Sequence, residues 1–151
     1  IVKGFTTNPS LMRKAGAKDY KSYSKKILSV CNNKPVSLEV FADEYSEMKK
    51  QAIQINTWAK NVYVKVPVAN SKGKFMGRII KELNSQNIKL NITAIYSAKQ
   101  TEKILKLIDK NNDKLSFTLK NNHNSYINLN NSGYSIKLLS KWQLKLWLMN
   151  K

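Results

Sequence analysis

Arginine, cysteine and histidine are scarce in this chain of 151 residues, which contains one cysteine, Cys31, one histidine, His123, and two arginines, Arg13 and Arg78. A single cysteine cannot form an internal disulfide, which suits a reducing cytoplasm. One histidine offers too few ligands for a metal site. We therefore expect a cytoplasmic protein that uses neither a metal nor another cofactor.

Long apolar runs are also absent. None is long enough to span a membrane, and the present start carries no signal peptide. The formal net charge is +18, yet almost all of the 27 basic residues are lysines. Arginine is the preferred residue for bidentate contacts with bases, and no basic cluster alternates with aromatic residues. We predict that neither nucleic acid nor membrane is a partner, and that the positive field attracts phosphorylated ligands.

Among the many lysines, Lys65 stands out because it lies within "VYVKVPV" (62–68), a run typical of a buried β-strand. A buried ammonium is costly, so burial lowers the pKa of a lysine amine and makes it a nucleophile. The alternatives are that the side chain reaches the strand end or pairs with a carboxylate.

Three other strand-like runs carry polar residues: "IVKGFTT" precedes Asn8, "VSLEV" contains Glu39, and "KLNITAI" contains Asn91 and Thr93. Glu39 and Asn91 each lie 26 positions from Lys65, since 65 − 39 = 91 − 65 = 26. The segments between have helical spacing. Such alternation predicts parallel strands, in a (β/α) barrel or an open doubly wound sheet. The glycine-rich phosphate turn of the doubly wound sheet is missing, so we favour the barrel, whose polar strand ends converge.

Further expectations concern the helices. We predict helices beginning at Pro9 and covering Tyr20 to Val30. Asp43 or Ser46 is the predicted cap of the helix after the second strand, and Ser71 of the next.

Four motifs occur together and in order: "GFTTNPSLM" (4–12), "VSLEVFAD" (36–43), "NVYVKVPVANSKG" (61–73) and "IKLNITAIYS" (88–97). In these motifs the chain resembles the transaldolase family of class I aldolases, over residues 1 to about 108. The resemblance implies an α/β fold, here a partial (β/α)8 TIM barrel of about four βα units, the second to the fifth. It also implies transfer of a dihydroxyacetone unit between sugar phosphates, the expected partners.

The resemblance also implies residue roles. Lys65 matches the Schiff-base lysine, while Glu39 and Thr93 match the pair that holds the catalytic water.

Asn8 and Asn91 match asparagines that bind and orient substrate, and Thr7 belongs to the same motif as Asn8.

Two alternatives stay open. The related fructose-6-phosphate aldolases usually have glutamine at the position of Glu39, so glutamate favours a transaldolase, although the motif wording resembles the compact subfamily. An alternative of another class is a non-catalytic basic module that binds membrane or nucleic acid.

The chain departs from the family at both ends. A full barrel needs about 250 residues, and the sequence starts inside a strand at Ile1, so we expect the family's first strand, with its acid/base aspartate, to be missing. Residues 109–151 form a divergent Asn/Lys/Leu-rich tail, with an amphipathic helix predicted at 136–150 from the spacing of Leu139, Trp142, Leu146 and Met149. We expect impaired activity, and unpaired sheet edges that favour a homo-oligomer.

Overall fold

A six-stranded sheet backed by helices makes up the described part of the chain. The computed structural model of the protein describes residues 4–108, 115–119 and 144–147, the last two ranges by their backbone. The strands are β1 (Phe5–Thr6), β2 (Val36–Glu39), β3 (Val62–Pro67), β4 (Leu90–Ile95), β5 (Leu115–Leu119) and β6 (Leu144–Trp147). The helices are α1 (Pro9–Lys14), α2 (Tyr20–Val30), α3 (Tyr45–Asn56), α4 (Gly77–Ser85) and α5 (Ala98–Leu105).

The order of the strands in the sheet follows their order in the chain. β1 to β5 pair in parallel, each with the next, and helices connect β1 to β2, β2 to β3 and β3 to β4. Consecutive parallel strands joined by helical crossovers are the repeating unit of a (β/α) barrel. The predicted fold class, a partial TIM barrel, is therefore confirmed.

One hydrophobic core lies between the sheet and its helices. Every second residue of the central strands enters it, since side chains alternate across a sheet. The strand residues of this core are Val36, Leu38, Val62, Val64, Val66, Leu90, Ile92 and Ile95. The helices contribute Met48, Ala52, Ile55, Ile79, Ile80, Leu83, Ile104 and Leu105. The valines of "VYVKVPV" thus face the helices, and Lys65 faces the opposite side of the sheet.

The helix predictions are mostly correct. α1 begins at Pro9 and α2 covers Tyr20–Val30, as predicted. The predicted caps of the next two helices are wrong: α3 begins after Glu44 and α4 after Met76, neither of which makes a side-chain capping bond. No helix within the described ranges combines the length and apolar content needed to cross a bilayer.

Asp43 does not cap the helix that follows it, because the groups that donate hydrogen bonds to its carboxylate belong to a distant residue. Its carboxylate accepts hydrogen bonds from the Ser71 amide and hydroxyl, both at 2.7 Å. The Ser71 amide, followed by the Ser71 hydroxyl, holds the pKa of Asp43 below its usual range. The pair thereby ties the segment after β2 to the loop after β3.

The tail differs from its prediction where the structure describes it. Leu144–Trp147 form a strand, β6, which runs antiparallel to β5, and not part of the helix predicted at 136–150. In "LKLW" one lysine separates two leucines, a pattern that fits a strand as well as a helical stripe in so short a segment, and pairing with β5 satisfies the backbone. The other residues of 136–150 lie outside the described ranges.

A cluster of charges joins α3 to α4. Glu82 accepts hydrogen bonds from Lys49 Nζ at 2.7 Å and from Arg78 Nε at 3.1 Å, and the Arg78 guanidinium lies 4.9 Å from the centre of the Tyr45 ring. The Lys49 ammonium, with support from Arg78, lowers the pKa of Glu82 to about 2. The ionised carboxylate therefore stabilises the folded state.

We expect Glu82→Gln to lower the urea midpoint of unfolding at pH 7. Because the folded-state pKa of Glu82 is depressed, its contribution is present above the unfolded-state value and is lost as the pH falls toward about 2. The difference between variant and wild type should therefore shrink between about pH 5 and pH 2. Glu47→Gln, which removes an exposed carboxylate paired with Lys50 alone, is the control. A gap that stayed constant with pH would contradict this account.

Candidate active site

The 26-residue spacing is the register of the sheet. Glu39 pairs with Lys65, and Lys65 pairs with Asn91, so the three residues form one row across β2, β3 and β4. Paired residues on neighbouring strands place their side chains on the same face. This row, Glu39–Lys65–Asn91, lies on the face away from the helices, and Ser116 of β5 is the next residue in register.

That face of the sheet is concave. Asn91 Nδ2 donates a hydrogen bond to Ser37 Oγ at 3.1 Å, although β3 lies between their strands. In a flat sheet β2 and β4 would be separated by two strand spacings, about 9.6 Å. Two short side chains meet over that distance because the sheet curls toward them. Both residues are buried, Asn91 fully.

Lys65 is buried on this face, with 9 % of its surface exposed. Its Nζ donates to the carbonyl oxygen of Thr7 at 3.0 Å and to Glu39 Oε2 at 3.2 Å. Lys65 therefore pairs with a carboxylate, which was one of the alternatives to a catalytic role. The partner is the predicted catalytic glutamate itself, so the pairing places a proton acceptor beside the amine instead of excluding catalysis.

Thr7 and Asn8 make structural contacts of their own, while their role in substrate binding stays a prediction. Thr7 supplies its backbone carbonyl to Lys65, while its hydroxyl donates to the Ser37 carbonyl at 2.8 Å. Asn8 Oδ1 accepts from the amides of Ser10 and Leu11 and so caps α1. A substrate role for the exposed Asn8 would fall to its amide nitrogen.

Thr93 lies two residues beyond Asn91 on the same face, beside a β-bulge. Three steps along β4, from Ile92 to Ile95, match two steps along β5, so β4 carries one extra residue. Ala94 accommodates it with a φ of 57°, in the left-handed region. Because of the bulge, Ile92 and Ile95 both enter the core, although an odd spacing in a regular strand would separate them. Thr93 is left on the polar face.

Sequence reasoning missed Ser37 and Tyr20. Ser37 could have been found, since it is a polar residue two positions before Glu39 and hence on the same face. Tyr20 Oη accepts from the Glu39 amide at 2.9 Å and donates to the Glu39 carbonyl at 3.1 Å. Nothing in the local pattern around Tyr20 indicates this contact, which joins α2 to the end of β2.

No group of three or more histidine, cysteine, aspartate or glutamate side chains gathers within the described ranges. What the row offers instead is an amine, a carboxylate and a buried amide. An amine beside a proton acceptor, on a largely buried face, has the groups that imine formation with a carbonyl compound requires.

Comparison with known proteins agrees with this geometry. Residues 1–128 match the Transaldolase/Fructose-6-phosphate aldolase family. A probable transaldolase of Dehalococcoides mccartyi is 40% identical over 100 residues, covering 66% of this chain and 44% of the relative. Probable transaldolases of Herpetosiphon aurantiacus and Methanococcus maripaludis are 38% and 39% identical over 100 residues, covering 42% and 44% of those proteins.

The chain therefore belongs to the transaldolase/fructose-6-phosphate aldolase family, and it spans less than half the length of these relatives. The matched range continues past residue 108, as does the parallel strand β5. The domain boundary predicted at 108 nevertheless stays a prediction.

We expect Ala94→Gly to keep the fold and to raise the free energy of unfolding by up to about 1 kcal/mol, because glycine adopts a positive φ without strain. Ala94→Val should lower it by about 1 kcal/mol or more, since a β-branched residue resists that conformation. Urea unfolding measures both. The same two substitutions at Ala98, the exposed first residue of α5, are the control. Equal effects of valine at both positions would contradict the role of the bulge.

Proposed function

We propose that this chain carries the imine-forming site of a transaldolase-type transferase, which moves a dihydroxyacetone unit between sugar phosphates. The observation that supports this most directly is the 3.2 Å contact between Lys65 Nζ and Glu39 Oε2 on the buried row. Family membership supports sugar phosphates as substrates.

The proposed reaction begins with proton transfer from the Lys65 ammonium to the Glu39 carboxylate. The free amine attacks the ketose carbonyl carbon and forms a carbon–nitrogen bond. Glu39 gives this proton to the carbonyl oxygen, then takes a proton from the nitrogen of the adduct and passes it to the new hydroxyl, which leaves as water and yields the protonated imine. The protonated imine can then accept the electron pair of the neighbouring carbon–carbon bond. For the aldehyde to depart, its hydroxyl must lose a proton; the family uses an aspartate for that step, and we assign no residue of this chain to it.

The remaining predicted residues serve binding and water control in this proposal. Thr93 and Glu39 hold the water that later hydrolyses the imine. Asn91, next to Lys65 in the row, orients a substrate hydroxyl through its amide, and Asn8 does so at the mouth. Thr7 acts through its carbonyl on Lys65, so its proposed role is to position the amine.

The closest competing activity is that of a fructose-6-phosphate aldolase, whose name the matched family includes. It shares the imine but releases the ketone product to water instead of transferring it. A glutamate at position 39, where those aldolases usually have glutamine, favours the transfer reaction. Product analysis with and without an acceptor aldehyde phosphate separates the two activities.

The alternative of a basic binding module has weaker support. It depended on a tail helix at 136–150, and Leu144–Trp147 form a strand. That nucleic acid and membrane are not partners, and that copies associate through sheet edges, both stay predictions.

A cytoplasmic location also stays an expectation.

Burial raises the pKa of the lone Cys31 thiol, so the thiol remains protonated and poorly reactive.

Reduction with borohydride in the presence of fructose 6-phosphate should attach the sugar to Lys65, as seen in the tryptic peptide mass. Lys65→Met should abolish this adduct. Lys89→Met is the matched control, because Lys89 lies just before β4 and its Nζ donates to the Lys60 carbonyl. A wild-type chain that melts cooperatively yet gives no adduct at Lys65 would refute the proposed function.

Glu39→Gln should slow adduct formation at Lys65 by about a hundredfold or more, because glutamine keeps the shape of the side chain but cannot take the proton. The aldolases that carry glutamine at this position must use another proton acceptor. Initial trapping rates at pH 7 measure the effect. Glu102→Gln, on the exposed face of α5, should leave the rate unchanged. A Glu39→Gln rate within about threefold of wild type would remove Glu39 from proton transfer.

A further inference from the structure

The parallel hydrogen-bond ladder between β1 and β2 lacks the last bond that its register would allow. The Thr7 amide donates to the Ser37 carbonyl at 3.0 Å. In a regular parallel ladder the next bond runs from the Glu39 amide to the Thr7 carbonyl. The Glu39 amide instead donates to Tyr20 Oη at 2.9 Å, and Tyr20 Oη donates to the Glu39 carbonyl at 3.1 Å. One hydroxyl thus satisfies both backbone groups of Glu39.

The Thr7 carbonyl, which accepts no bond from the Glu39 amide, contacts Lys65 instead. Thr7 O accepts a hydrogen bond from Lys65 Nζ at 3.0 Å. We propose that Tyr20 is a positioning residue for the imine-forming site: by replacing the ladder partner of Glu39, its hydroxyl leaves the Thr7 carbonyl free to hold the amine of Lys65. The role of Tyr20 in imine formation rests on the proposed function. The effect of its hydrogen bonds on the position of Lys65 does not.

Tyr20 is itself held firmly. It is the first residue of α2, and the preceding Asp19 caps that helix through the Ser22 amide at 2.8 Å. Its ring packs edge to face against Phe41, with centroids 4.5 Å apart, and against Trp58, at 5.6 Å. Burial raises the pKa of the Tyr20 hydroxyl, so it stays protonated and can donate and accept at once.

The arrangement fixes the two reacting groups with one side chain. Tyr20 holds the backbone of Glu39 and thereby positions its carboxylate. It also leaves the Thr7 carbonyl available as the second acceptor of Lys65. After an ammonium gives one proton to Glu39, the amine keeps two N–H donors and one lone pair. A fixed acceptor for one of these N–H groups, the Thr7 carbonyl, restricts the direction of the lone pair that attacks the carbonyl carbon. A loss of the hydroxyl would allow the Glu39 amide to bind the Thr7 carbonyl in the regular ladder geometry, and this competing donor would weaken the hold of that carbonyl on Lys65.

The test compares Tyr20→Phe, which keeps the ring and removes the hydroxyl, with Tyr23→Phe on the same helix. Each full-length chain is labelled with formaldehyde and cyanoborohydride at pH 8, and the labelling rate of Lys65 is divided by that of Lys89 in the same molecule. Trapping with fructose 6-phosphate is measured separately. Thermal melts establish that each variant is folded, and Tyr20→Met replaces Tyr20→Phe if the latter fails to melt cooperatively.

In Tyr20→Phe we expect the Lys65 to Lys89 labelling ratio to rise about threefold or more, because the Lys65 amine loses the hold of one of its two acceptors and becomes more accessible to formaldehyde. We expect sugar trapping at Lys65 to fall by a similar factor, since the amine is no longer held in place. Tyr23→Phe should change neither.

A labelling ratio equal to that of Tyr23→Phe would overturn the assignment of Tyr20, whatever the sugar does. A changed ratio in a chain whose wild type traps no sugar would support Tyr20 and refute the proposed function.

Discussion

The ion pair between Lys65 and Glu39 is the interaction on which the site depends. It is possible because the two residues are paired in register on neighbouring parallel strands, which puts the amine and the carboxylate on one face. An unpaired ammonium there would carry a large desolvation cost. The carboxylate and the Thr7 carbonyl compensate that cost, and in the proposed reaction the contact with the carboxylate also provides the path for the proton.

The rest of the structure separates two kinds of surface. The convex face of the sheet buries alternate valines, leucines and isoleucines against α3, α4 and α5, while the concave face carries Ser37, Lys65, Asn91 and Thr93. Strict alternation maintains this separation along β2 and β3. In β4, strict alternation would place Ile95 on the polar face. The extra residue of the bulge at Ala94 returns the Ile95 side chain to the core face. A local backbone irregularity thus keeps both the core and the site intact.

Much of this could be predicted because it depends on periodicity. The equal spacing of Glu39, Lys65 and Asn91 predicted a repeated strand–helix unit whose polar residues converge, and the helical spacing between them predicted the crossovers. What could not be predicted depends on single contacts between distant residues. The hydroxyl of Tyr20 reaches Glu39 from another element, and Asp43 binds Ser71 instead of capping its own helix. Leu144–Trp147 show a third limit, because a short alternating segment fits strand and helix equally well until its pairing partner is known.

The central claim is that the amine of Lys65, held by Glu39, is the group that bonds to a ketose phosphate. A crystal structure of the chain after reduction with fructose 6-phosphate and borohydride tests it most directly. The account predicts continuous electron density from Lys65 Nζ to the former carbonyl carbon, with the Glu39 carboxylate within hydrogen-bonding distance of that nitrogen. Density for the sugar on a different lysine, with Lys65 unmodified and still bound to Glu39, would contradict it.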